Sequence, residues 1–120
     1  MTAGSNLPSQ PQLSQSLRIE IDLPKGIMTY VVNLPNVGAF IDIENNKILF
    51  SQGRYSLMTK NNTFTNNLAL DMIDTIATFT VIMPKEFHEG LAVSSLFDLD
   101  LKSIKSLVKA YKEQFHPWVS

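Results

Sequence analysis

Two carboxylates lie two positions apart in "LPNVGAFIDIENNKILFSQGRY", Asp42 and Glu44, ahead of Gly53, Arg54 and Tyr55. Paired carboxylates can divide the work of a general acid and a general base, provided that both point into one space. The surrounding pattern forbids that here. Asn36 is a suitable N-cap, apolar residues recur at helical spacing from Val37 to Phe50, and Gly53 supplies a stop. Residues two apart on a helix leave its axis roughly 200° from each other, so Asp42 and Glu44 belong to different faces. Their position in the N-terminal half suits the helix dipole.

Asp71 and Asp74 are a better pair, because a spacing of three puts neighbours on one face. Such a pair can bind a cation or share a proton, but no histidine or third carboxylate supports it on the same helix. The commoner meaning is a polar stripe along a packed helix. His88 and His116 have no local metal-ligating company. No serine sits in a G-x-S-x-G context, and the five glycines are dispersed rather than gathered into a phosphate loop. No catalytic residue, cofactor or metal site is expected, and the chain reads as non-enzymatic.

Binding residues remain. Lys102, Lys105, Lys109 and Lys112 line one flank of a C-terminal helical pattern. Such a flank contacts phosphates, or carboxylates of an acidic partner, or simply water. It lacks arginine and interleaved aromatics, so nucleic acid is the lesser reading. The terminal "HPWVS" carries the single tryptophan, Trp118, which either seals the core or plugs a neighbour's pocket.

The elements that must position these residues follow from hydropathy. The 120 residues fit one domain with a modest core. Ten basic against eleven acidic residues give a net charge of −1, which offers no strong drive onto nucleic acid or anionic lipid. A sparsely charged, near-neutral surface favours association instead. Cysteine is absent, excluding disulfides, thiolate metal sites and cysteine nucleophiles. The N-terminal residues lack the pattern of a signal peptide, and the apolar stretch near residues 68–83 is interrupted by Asp71 and Asp74. Synthesis in a cytosol is expected.

Residues 1–16, uncharged and with two prolines, read as an extended polar arm that needs a partner to order it, with Leu7 and Leu13 as its anchors. Residues 17–118 read as a single α+β domain, with residues 116–120 as its C-terminal tail. Leu17, Ile19, Ile21 and Leu23 alternate with Arg18, Glu20 and Asp22, and Pro24-Lys25-Gly26 turns the chain into a return strand over 27–34. Two strands alone are marginal, so this hairpin must lie on helices or extend a neighbour's sheet; Met28 and Tyr30 are its contact candidates. Three helices are expected: one between the cap Asn36 and the stop Gly53, then 62 or 63 to 83, then 98 or 99 to 115. "SQGRYSLMTKNN" between the first two is expected to be a loop, and residues 85–97 a connector. The second helix is apolar on most of its circumference and should be central, with Asn67, Asp71, Asp74 and Thr78 on its narrow polar stripe. Ile104, Leu107, Val108, Tyr111 and Phe115 form the core stripe of the third, which His116-Pro117 should close.

The segments "NLPNVGAFIDIENNKILFSQGRY", "NNLALDMIDTIATFTVIMP" and "FDLDLKSIKSLVKAYKEQFHPW" together resemble small virion and morphogenesis proteins of tailed bacteriophages, those of crAss-like phages above all. The likeness spans residues 17–118. It implies a structural virion component, an auxiliary capsid or tail-connector protein made in the bacterial cytoplasm. Such a protein would bind itself or a shell or tail lattice through its arm, hairpin and tail. A strand pair leading into "VGAFIDIE" also looks like tail assembly chaperones, which leave the finished particle. The resemblance carries over no catalytic residue.

Overall fold

Alternating residues drive the first element. In the computed structural model, which describes residues 16–120, Ser16–Leu23 forms β1 and Gly26–Asn33 forms β2. They pair antiparallel with Leu23 opposite Gly26, leaving Pro24 and Lys25 as the turn. Gly26 takes φ +123°, a region that L side chains avoid. On one face Ile19, Ile21, Tyr30 and Val32 are buried; on the other Arg18, Glu20, Asp22 and Thr29 meet solvent. The arm expected over residues 1–16 lies outside the described residues except for Ser16, which opens β1.

Helix α1 spans Val37–Phe50. Asn36 caps it, its side-chain oxygen accepting from the Ala39 amide at 2.8 Å. At the other end the Gly53 amide reaches the Ile48 carbonyl at 2.8 Å, with Gln52 and Gly53 both at positive φ. The stretch expected to be a loop contains α2, Tyr55–Lys60. One and a half turns of weakly patterned sequence leave too little periodicity to show.

Helix α3, Phe64–Ile82, is the central element. Thr63 caps its start and Pro84 follows its end. Thr75, Ile76, Ala77, Thr78 and Phe79 are all buried, so its C-terminal half is covered around most of its circumference. α1 packs along it, and α2, the helical segment Leu101–Ala110 and a 3-10 turn at Leu96–Asp98 cover other sides. The connector expected over 85–97 begins with a further helix, α4 (Lys85–Leu91), which turns Phe87 into the core. Pro84 costs it nothing, because the first helical amides have no partner in any case.

Helix α5 spans Leu101–Ala110, starting two or three residues later than expected because Asp100 makes the cap: its carboxylate accepts from the Ser103 amide at 2.9 Å. Ile104, Leu107, Tyr111 and Phe115 are buried as one stripe, with Val108 half-buried beside it. His116-Pro117 does not end the helical path. The chain widens into a π-turn over Tyr111–Phe115 and resumes as α6, His116–Val119. Proline is tolerated because it falls in the first turn of the resumed helix, where no intrahelical donor is required.

The core lies between the inner face of the hairpin, α3, α4 and α5. Edge-to-face aromatic contacts run through it, Tyr30 on Phe87 at 5.3 Å and Phe79 on Phe87 at 6.0 Å. Phe79 also meets Tyr111 at 6.3 Å.

Candidate functional site

Beyond the exposed Asn67, the polar stripe of α3 is not its solvent side. It faces a cleft of about 680 Å³ between α1, α3 and the π-turn. α1 contributes Glu44 and Lys47, one helical step apart, whose side chains meet at 2.8 Å. α2 brings Tyr55, whose hydroxyl donates to Asp74 Oδ1 at 2.5 Å. Lys47 Nζ lies 4.0 Å from the same carboxylate oxygen and 5.7 Å above the Tyr55 ring. Asp71, one turn earlier on α3, receives Lys112 Nζ at 3.0 Å. Phe40, Ile43, Phe115 and Val119 supply the apolar part of the wall, and Tyr111 and His116 complete it.

Burial raises the Asp74 carboxyl above the ordinary carboxylate range, although the Tyr55 hydroxyl and Lys47 pull the other way. Burial also raises the Tyr55 phenol strongly, and its bond to Asp74 raises it further. Tyr55 therefore stays protonated as a donor. Burial lowers Lys47, but the Glu44 contact and the Asp74 charge outweigh it, so its ammonium is held on balance above normal. These groups satisfy one another. The arrangement ties α1, α2 and α3 together, and among the described residues no cluster of three metal-ligating side chains forms.

The four lysines part company. Lys102, Lys105 and Lys109 line a shallow hollow of about 580 Å³ together with Glu20, Asp22 and Glu113. Lys112 reaches across to Asp71 on the cleft side. The wider π-turn shifts the angular register after Ala110, which helical spacing alone does not reveal. Three carboxylates beside three ammonium groups make a mixed surface rather than a basic one.

Of the hairpin candidates, Met28 is 39% exposed, whereas Tyr30 is buried with its ring against Phe87. Trp118 is half-buried and packs edge-on against Phe115 at 6.0 Å. Leu7 and Leu13 lie outside the described residues.

The most exposed apolar side chains are elsewhere. On α1 only Ile43 is buried, while Val37, Phe40, Ile41, Ile48 and Leu49 are each more than half exposed. Leu57 on α2 and Phe64 at the start of α3 are also more than half exposed. The signal was present in the sequence: α1 carries two apolar stripes, and Ile41 and Ile43 point in nearly opposite directions. Only one stripe can face α3.

Comparison with protein-family models, with curated proteins and with solved structures finds no match for this chain.

Proposed function

We propose that this chain is a non-enzymatic assembly protein of a tailed-bacteriophage particle, an auxiliary capsid or tail-connector component that adheres to the protein lattice through the outward side of α1. One observation carries the reading: a 14-residue helix packs Ile43 and Phe50 into the fold and Phe40 beside the cleft, yet leaves Val37, Ile41, Ile48 and Leu49 each more than half exposed on its outward side. An apolar stripe of that kind is normally covered by protein or lipid. The stripe of Val37, Ile41 and Ile48 runs for about 16 Å along the helix at the usual rise per residue. Lipid is the poorer cover, since the flanking Asp42, Glu44 and Asn45 bring no cation to a headgroup. The sequence likeness to phage virion proteins supplies the kind of partner.

A second reading draws on the same helix. Tail assembly chaperones hold their clients through apolar helix faces, and α1 offers one. Nucleic-acid binding has less support, because carboxylates share the hollow with the lysines.

The test is to purify particles from infected host cells and search for the chain by mass spectrometry. The reading expects it in the particle. It also expects Ile41→Lys with Ile48→Lys to leave circular dichroism unchanged and remove the protein from particles. Absence from particles together with recovery on a tail protein would select the chaperone; recovery on neither would overturn both.

A further inference from the structure

The hairpin's two edges are treated differently. On β1 the Glu20 amide donates to Gln114 Oε1 at 2.8 Å, and Gln114 Nε2 donates to the Glu20 carbonyl at 2.7 Å. A side-chain amide thus takes the place of a third strand, and α5 runs beside β1. β1 also carries Arg18, Glu20 and Asp22, charges that discourage pairing with another strand.

β2 has none of these protections. Its sequence, GIMTYVVN, contains no charge and no proline. The sheet has two strands, and no third strand pairs with β2 among the described residues, although its Val31–Asn33 end borders a hollow shared with Ala39, Val81, Ile82 and Pro84. Because the Glu20 backbone points away from β2, the pair Glu20–Thr29 is one whose peptide groups face outward on both edges. The peptide groups of Ile27, Thr29, Val31 and Asn33 therefore all point off the free edge. No described residue bonds to them. Ile27, 68% exposed, and Val31, 54% exposed, flank Thr29 on the solvent face of the sheet.

From this edge we propose that β2 pairs with β2 of a second copy of this chain, antiparallel about a two-fold axis at Thr29, merging two hairpins into one four-stranded sheet. The occupant is argued from self-complementarity. In that register Thr29 meets Thr29 of the second copy and exchanges both backbone bonds with it. Ile27 of each copy meets Val31 of the other, covering two exposed aliphatic side chains twice over. Threonine–threonine and aliphatic pairs are both favoured cross-strand neighbours. Shifting the axis to Tyr30 would set Ile27 against Asn33 and Thr29 against Val31, which is worse on both counts. With no charge on β2, like copies do not repel at the seam. On the inner face Met28 comes opposite Tyr30 of the second copy, which covers the part of Met28 left open. The seam and the outward side of α1 belong to different elements, and Val37, Ile41 and Ile48 take no part in the strand register.

A natural lack of cysteine makes the register testable by single substitutions. Paired Cα atoms in such a ladder lie about 5.5 Å apart, within the reach of a disulfide. Under mild oxidation Thr29→Cys should give covalent dimers in high yield. Val31→Cys alone should not, because two such residues are four positions out of register, whereas a mixture of Val31→Cys with Ile27→Cys should. Light scattering on the unmodified chain should read twice its own mass. Thr29→Pro should return it to single-chain mass, since that amide makes no bond within the hairpin. Val31→Lys, which changes no backbone group, should do the same and guards against misfolding of the proline variant. A chain that stays single at high concentration and forms no register-selective crosslink overturns the proposal. So does a dimer that persists in both edge variants. Ile41→Lys with Ile48→Lys should leave the dimer intact, so failure of this proposal and failure of the lattice reading give different results.

Discussion

Tyr55 and Asp74 hold one another in place at the edge of a cleft that screens both partly from water. Asp74 is raised by burial first, so its neutral form is the one the fold favours. Its folded pKa therefore exceeds that of the unfolded chain, near 4. The contribution is complete below that value and is lost as pH rises through the folded pKa. Asp74→Asn keeps an acceptor for the Tyr55 hydroxyl and carries no charge. It should match or exceed the parent's stability at pH 7 and flatten the fall in stability just above pH 4, as read by urea melts across pH. All three tyrosines, Tyr30, Tyr55 and Tyr111, are likewise raised, each chiefly by burial. They retain protons that the unfolded chain releases from about pH 10. Denaturation midpoints should therefore drop steeply above pH 10, and Tyr55→Phe should blunt that drop.

At the level of elements, α1 divides its apolar residues between two duties, and substitution should separate them. Ile43→Ala removes a buried side chain and should cost about 2–4 kcal/mol. Ile41→Lys, on the outward stripe, should change stability by less than about 0.5 kcal/mol. A reversal of that order in chemical denaturation would mean that the helix is docked by its other face. The hairpin, α1, α3 and most of α5 were legible in the sequence because each runs long enough to display its period and carries a cap or a turn residue at its end. α2 and α4 were not. Arg54 and Pro84 give no side-chain cap, and α4 buries Phe87 alone. The π-turn was invisible because no residue type marks it, and it is what sends Lys112 toward Asp71. Spacing revealed Asp71 and Asp74 as neighbours. Their partners, Lys47 and Tyr55, arrive from separate elements, and only the packing of α1 and α2 on α3 brings them in.

Across the whole molecule, aromatic rings link regions far apart in the chain: Tyr30 to Phe87, Phe87 to Phe79, Phe79 to Tyr111, and Phe115 to Trp118. Tyr111 and Phe115 stack at 5.8 Å and join the two ends of that series. The lone tryptophan thus reports on the core. Its fluorescence should shift to the red in the same denaturation step that abolishes the helical circular dichroism signal, and an earlier shift would mean that α6 frays independently. The clasp between Glu20 and Gln114 joins residues 94 positions apart. On a ribosome adding about 5–20 residues per second, the hairpin must therefore wait on the order of 5–20 s for the residue that clasps its β1 edge. Any nascent chain stalled before Leu101 leaves the β1 edge unclasped and Ile19 and Ile21 without Ile104 and Leu107 over them, a condition under which polypeptides tangle with their neighbours. Clean folding of the hairpin is thereby tied to the arrival of residues 101–120.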